Sequence, residues 1–195
     1  IPRKNINIFC GKPIIAWSIQ AALSSGCFDS VIVSTDDEEI AAVAREWGAD
    51  VPFMRPPELS DDYTETIPVI RHAIDWHSHH SVIPELVCCI YATAPFATPE
   101  DISRGEKILI DTGCDYAFTV TSYAFPIQRA MRITPEKKTE MFYPENFGTR
   151  SQDLEEAFHD AGQFYWGRTN AWVSGKKIFH AAAPVFLPRH RVQDI

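Results

Sequence analysis

No stretch of the chain reaches the roughly 18 consecutive apolar residues that a membrane-spanning helix requires, so no membrane partner is expected. Ile1-Pro2-Arg3-Lys4-Asn5 lacks the apolar run of a secretion signal. Positive charge is scarce: 18 Lys and Arg stand against 26 Asp and Glu, for a net charge of −8. Non-specific nucleic-acid binding feeds on cations, so no nucleic-acid partner is expected either. Cysteines are few and odd in number (Cys10, Cys27, Cys88, Cys89, Cys114), and none forms a C-x-x-C pair. Adjacent Cys88 and Cys89 sit in an apolar run, where neighbouring side chains point to opposite faces and cannot readily bridge. A reduced cytoplasmic protein is the economical expectation. Internal repeats and low-complexity linkers are absent as well. The acidic balance does not exclude a small anionic ligand, because Arg3-Lys4 and Arg189-His190-Arg191 supply local cations.

What the sequence does have is 195 residues with 45% hydrophobic content, enough for one domain with a real core. Helix and strand patterns alternate along it. Residues 13–25 read as a helix: Pro13 suits the first turn, Ile15, Ile19, Ala22 and Leu23 form a stripe, and Gly26 can cap the end. Residues 31–34 read as a buried strand. Thr35 or Asp36 can cap the next helix, with Glu38 or Glu39 completing a capping box. Ile40, Val43, Ala44 and Trp47 give that helix its inner face. Ile67, Ile70 and Ile74 mark a third helix. Residues 86–91 form a continuous apolar run, as expected for a strand covered on both faces. Thr98-Pro99-Glu100-Asp101 starts a fourth helix and Gly113 stops it. Residues 116–121, 163–166 and 185–187 are further strand candidates. The alternation implies an α/β domain with a largely parallel sheet. Residues 123–160, with Pro126, Pro135 and Pro144, break the pattern and read as an excursion from the sheet. A sheet of this kind normally opens on a strand, whereas this chain opens just before a helix; a strand and loop are expected before Ile1.

Open α/β sheets bind ligands beyond the carboxyl ends of their strands. Ser34-Thr35-Asp36-Asp37, Tyr91-Ala92-Thr93-Ala94-Pro95, Arg3-Lys4-Asn5 and Val192-Gln193-Asp194 fall at such places. Cations, small hydroxyls, amides near helix starts and carboxylates together suit a nucleoside triphosphate with a divalent cation. Each has an ordinary structural role too. Thr35 and Asp36 serve as helix caps, and Lys4 and Arg55 as a surface lysine and a turn arginine. His77, His79 and His80 read as a solvated helix end rather than a metal cluster. Phe164, Tyr165 and Trp166 read mostly as core or interface.

The wording of the sequence adds more. Arg3-Lys4-Asn5-Ile6, Gly11-Lys12-Pro13-Ile14-Ile15-Ala16, Val33-Ser34-Thr35-Asp36 and Arg55-Pro56-Pro57-Glu58-Leu59 resemble the sugar-activating cytidylyltransferases of the acylneuraminate type. The segments 89–96, 126–130, 149–154, 159–167 and 187–195 resemble the branch of that family that acts on pseudaminic acid. The resemblance implies a Rossmann-like nucleotide-diphospho-sugar transferase fold, with a mostly parallel sheet, helices on both faces and a protruding dimerisation arm at 123–160. It implies CMP transfer from CTP to an acidic nine-carbon sugar with Mg2+ as cofactor, by a homodimer. Nucleotide contacts would fall to Arg3, Lys4, Asn5, Arg55, Thr66, Tyr91, Ala92 and Thr93, with Lys4 and Asp194 catalytic and Asp194 on the metal. Sugar contacts would fall to Gln128, Arg129, Arg150, His159, Asp160 and Gln163; for the arginines, a place in the dimer interface is the alternative. The family's phosphate loop would precede Ile1, and its second aspartate would follow Ile195. Residues 1–195 alone are accordingly expected to be inactive, and a longer chain to recover turnover. Alternatives are a cytidylyltransferase for neuraminate, legionaminate or octulosonate, a catalytically dead nucleotide-binding module, and a glycosyltransferase consuming nucleotide sugars. The adjacent rather than spaced Asp36-Asp37 pair weakens the last.

Overall fold

The computed structural model describes residues 3–61 and 63–193. A short 3₁₀ turn at Lys4–Ile6 leads into a small hairpin of β1 (Ile8–Phe9) and β2 (Lys12–Pro13). Helix α1 (Ile14–Ser25) follows, stopped by Gly26 as its sequence predicts. Helix α2 (Glu38–Glu46) is capped by Asp37, whose side chain accepts from the amides of Glu39 and Ile40. Neither Thr35 nor Asp36 takes that position; the Thr35 hydroxyl instead accepts from the Asp37 amide at 3.2 Å. Helix α3 (Thr66–His80) runs further than the Ile67–Ile74 stripe, and β3 (Leu86–Ile90) comes after it. Helix α4 (Pro99–Thr112) has the expected Thr98 cap and Gly113 stop. The rest comprises β4 (Tyr116–Ser122), β5 (Met131–Ile133), β6 (Thr139–Met141), β7 (Phe158–Arg168), α5 (Thr169–Ser174) and β8 (Ala183–Phe186).

The main sheet has the order β3-β7-β4-β8. The β4–β8 pair is parallel, while β7 lies antiparallel between β3 and β4. Three strands therefore share a direction and the fourth is reversed, giving a mixed α/β sheet where a largely parallel one was expected. The reason lies in the excursion. The chain leaves β4 at Ser122 and re-enters opposite it at Phe158, so the returning strand can only run back along β4. The strand expected at 31–34 contributes a single parallel bridge, Ile32 to Asp50, flanked by hydrogen bonds between Val33, Val31 and Asp50 of 2.9 Å.

Period-two alternation divides the side chains between two layers. Phe164, Trp166, Ala117 and Val185 face α1 and α4 in one core, with Cys88 beside them. Tyr165 and Tyr116 pack against Ile70 and Ile74 of α3 and Ala171 and Trp172 of α5 in the other, with Cys89. The adjacent cysteines thus look in opposite directions, and burial pushes the Cys89 thiol up to about 12. A third cluster, built on Ile15, Ile19, Ala41 and Ala44, joins α1 to α2. No helix among the described residues is long and apolar enough to cross a membrane.

The excursion ends earlier than 160, because β7 begins at Phe158 and pairs His159 and Asp160 with Thr121 and Val120. What projects is the β5–β6 hairpin and its flanking 3₁₀ turns. This segment leaves Phe125, Met131, Ile133 and Phe147 exposed by 60% or more, a burden on solubility that a lone surface arm does not need.

Candidate functional site

Three segments meet on the α1–α2 cluster. Ile6, beside Lys4 and Asn5, Met54, beside Arg55, and Ala92, between Tyr91 and Thr93, all pack against it. Packing of apolar neighbours therefore brings together the segments that carry the predicted nucleotide residues. The turn after β3 is further anchored by Ser18 of α1, buried, whose hydroxyl donates to the carbonyls of Tyr91 at 2.8 Å and Ala92 at 3.4 Å. Sequence reading passed over Ser18; its one signal is a hydroxyl inside the apolar face of a helix otherwise lined with Ile and Ala.

The charged residues are less open than their sequence suggests. Arg3 is bonded to Asp37 at 3.0 Å and to Glu39, at the start of α2. Arg55 donates to Ser60 at 3.1 Å and to Asp36 at 3.2 Å, and its own amide donates to the Thr35 carbonyl at 2.8 Å. Arg55 thus closes its turn onto the 34–37 tip. Lys4 and Asn5 sit in the 3₁₀ turn, with the Lys4 side chain exposed and Asn5 half-buried. Thr93 is half-buried in the turn after β3.

On the other side of β3, the Thr66 hydroxyl, at the first residue of α3, lies 3.2 Å from the Tyr91 hydroxyl. The Tyr91 ring is 5.3 Å from that of Tyr165, and the Tyr165 hydroxyl donates to Asp160 at 2.5 Å. Burial first, then the Asp160 hydrogen bond, holds the Tyr165 phenol well above its usual range, so it stays a proton donor. Thr66, Tyr91, Tyr165 and Asp160 therefore stand in one row, hydrogen-bonded at its two ends and joined in the middle by the ring contact of Tyr91 with Tyr165.

A bulge creates this row. Phe118 opposes Tyr165 and Val120 opposes Asp160, so Thr119 alone faces residues 161–164 of β7. Gly162 takes a left-handed φ of 62°, open to glycine at no steric cost, and its amide donates to Asp160 Oδ1 at 2.9 Å. The fully buried Thr119 hydroxyl accepts from the amides of Gln163 and Phe164, each at 3.4 Å. Thr119→Val keeps the shape and leaves those amides without their partner. It is expected to cost about 1–3 kcal/mol in denaturant unfolding; a loss under about 0.5 kcal/mol would show that the bulge stands without the hydroxyl.

Gln163, 3% exposed, donates through Nε2 to the Arg191 carbonyl at 2.6 Å, while its Oε1 has no protein partner. Arg191 is held in turn by Asp101 at 2.5 Å, which also binds Arg104, fastening the terminal segment to α4. The Nδ1 atom of His159 is bonded to the Asp160 carbonyl, and its ring lies 4.8 Å from Tyr123 at the root of the arm. The remaining sugar candidates belong to the arm itself. Gln128 donates to the Glu155 carbonyl at 3.1 Å and Arg129 to the Thr149 carbonyl, while Arg150 is exposed before a 3₁₀ turn. A hollow of roughly 250 Å3 in this segment is lined by Tyr123, Phe125, Pro126 and Leu154, and none of these three candidates lines it. The structure thus gives the predicted residues as a nucleotide-side group, a β7 group and an arm group. A separate hollow of about 450 Å3, among Ser30, Arg45, Asp50, Trp76, His77 and His80, holds none of them.

Asp194, the metal candidate, lies outside the described residues. Among those described, no three His, Cys, Asp or Glu side chains converge on a metal position. Asp36 and Asp37 are engaged by Arg55, Arg3 and the α2 amides. The Nδ1 atoms of His79 and His80 are taken up by carbonyls one turn earlier in α3, so these histidines do form a helix end. The described residues do not by themselves fit a metal cage.

Residues 1–130 match the model of a family described as cytidylyltransferase. Over its whole length the chain is 43% identical to a pseudaminic acid cytidylyltransferase of Campylobacter jejuni, spanning 84% of that protein. It is 42% identical, over 95% of the chain and 44% of the relative, to N-acylneuraminate cytidylyltransferase A of Danio rerio. Among solved structures, a CMP:2-keto-3-deoxy-manno-octonic acid synthetase complexed with CTP overlays 96% of the chain and 84% of its own at a TM-score of 0.67. At 13% identity, that likeness speaks for the fold.

Proposed function

The chain belongs to the cytidylyltransferase family, and on that footing we propose that it transfers CMP from CTP to the anomeric hydroxyl of a nonulosonic acid, pseudaminic acid, releasing pyrophosphate. The observation that carries the reading is the 43% identity over the whole chain, which takes in both the nucleotide-side and the β7 and arm segments.

In the reaction, the anomeric oxygen forms a bond to the α-phosphorus of CTP as the bond to pyrophosphate breaks. The hydroxyl proton passes to solvent or to the departing oxyanion. Positioning and charge neutralisation dominate such a transfer. Lys4 supplies a compact positive charge beside the triphosphate and Asn5 a hydrogen bond next to it. The turn Tyr91-Ala92-Thr93, fixed by Ser18, borders the base and ribose, with Thr66 and Arg55 on either side. On β7, Asp160 accepts from sugar hydroxyls, Gln163 offers its unpartnered Oε1 to an acylamino N–H, and His159 flanks them. Arg129 and Arg150 recognise the sugar carboxylate, for which a guanidinium's planar fork is suited. We propose Mg2+ as the cofactor; bound through one or two carboxylates and phosphate oxygens it would neutralise triphosphate charge, with Asp194 as the carboxylate. The exposed Met131, Ile133 and Phe147 of the arm support its pairing with the arm of a second subunit in a homodimer.

The test is pyrophosphate release measured with CTP, UTP, ATP and GTP, and with pseudaminate against neuraminate. Release is expected from CTP and pseudaminate, to stop with a chelator and to resume with added Mg2+. Preference for UTP would overturn the base assignment, preference for neuraminate the acceptor, and full turnover in chelator the metal. Sedimentation of a monomer at micromolar concentration would remove the homodimer.

A further inference from the structure

We infer that Tyr165 is a positioning residue of the reaction, whose hydroxyl fixes the Asp160 carboxylate for the acidic sugar while its ring packs against Tyr91. This rests on the reading that Asp160 faces the sugar.

Tyr165 is 3% exposed and its ring is gripped from two sides, by Tyr91 at 5.3 Å and Phe118 at 6.0 Å. For packing alone, a phenylalanine would serve and would avoid the cost of burying a hydroxyl. The hydroxyl is used: it donates to Asp160 Oδ2 at 2.5 Å, while Asp160 Oδ1 accepts from the Gly162 amide at 2.9 Å. One tether on each oxygen fixes the plane of the carboxylate. A carboxylate has about four lone-pair positions, so roughly two remain for a ligand's hydroxyl groups. The tethers have different origins. Gly162 belongs to the bulge, whereas Tyr165 faces the α3 side of the sheet, where Tyr91 meets Thr66 at 3.2 Å.

The experiment is a double-mutant cycle of Tyr165→Phe and Asp160→Ala, reading KM for CTP and for the sugar separately. Tyr165→Phe keeps the ring between its neighbours, so folding is preserved, which a near-ultraviolet circular dichroism spectrum checks. Because the lost hydrogen bond involves a charged group, Tyr165→Phe is expected to raise the sugar KM about tenfold or more. The CTP KM should stay within about twofold, as expected when the lost interaction concerns one substrate only. Added to Asp160→Ala, Tyr165→Phe should change the sugar KM no further, since it acts through that carboxylate. Equal rises in both KM values, an unchanged sugar KM for Tyr165→Phe, or additive effects of the two substitutions would each overturn the positioning role. An Asp160→Ala variant with unaltered sugar KM would remove Asp160 from the sugar site and take the inference with it. A raised sugar KM in Asp160→Ala beside an unaltered one in Tyr165→Phe strikes the inference alone.

Discussion

Lys4→Ala is expected to lower kcat for cytidylyl transfer by about a hundredfold or more, the range seen when one group aimed at developing charge is removed. Lys4 opens a 3₁₀ turn closed by amide donations from Ile6 to Arg3 at 3.1 Å and from Asn7 to Lys4 at 3.2 Å. Ile6 anchors that turn to the cluster that Met54 and Ala92 also join, so apolar packing holds the backbone beneath Lys4. Surface substitutions usually change folding by about 0.5 kcal/mol, so the melting temperature should shift by about 2 °C, far too little to account for the loss of rate. Activity and stability are thus separated in one variant. Lys4→Arg should recover only part of the rate, because a planar fork cannot replace a compact ammonium on a triphosphate. A Lys4→Ala enzyme with kcat within about threefold of the parent would place the residue outside the transition state.

The largest expected loss of stability comes from a single methyl group. In β7, Gly167 sits against two buried rings; a Cβ there would meet Trp172, at its Nε1 and Cε2, and Tyr116 Cδ1 at 2.6 Å. Neither ring can withdraw cheaply. Trp172 is 0% exposed and its Nε1 donates to the Val87 carbonyl at 3.2 Å, while Tyr116 is 1% exposed and its hydroxyl donates to the Lys176 carbonyl at 3.0 Å. Gly167→Ala must therefore overpack the α3–α5 layer, break one of these bonds, or both. Overpacking of this kind costs about 1–3 kcal/mol and a buried bond about 1 kcal/mol more. The melting temperature should fall by roughly 5–15 °C for a chain of this size. A fall below about 2 °C would show that the strand shifts to admit the methyl group without disturbing the rings.

Helices α1 to α4 were legible because burial of a helix face writes itself into the chain at three- and four-residue spacing, as Ile15, Ile19 and Ala22 show. The apolar run of β3 was legible for the same reason, since both of its faces are covered. Direction was not. Composition gives a strand no polarity, and β7 reads the same whether it runs with β4 or against it. Val31-Ile32-Val33 has the composition of a full strand, yet its one bridge partner among the described residues is Asp50, because pairing depends on what lies alongside. The Asp36-Asp37 pair was ambiguous as a cap, and reach to the amides two and three residues on decided for Asp37. In the candidate site, the nucleotide-side segments could be marked from motifs, and the packing of their apolar neighbours brings them together. The Thr119 bulge could not be marked, and with it went the facing of Asp160, Gln163 and Tyr165. A register shift depends on two strands at once, so neither strand's sequence records it.

The reversed middle strand has a consequence for how the chain is made. When Ser122 has left the ribosome, β3 and β4 are both complete, but they are not neighbours in the finished sheet and have nothing to pair with between them. The strand that joins them finishes only at Arg168, and at about 5–20 residues per second the wait lasts seconds. Through that interval the nascent chain carries two apolar strands with open edges, so its yield in the cell depends on protection of those edges until the arm has been synthesised and the chain turns back.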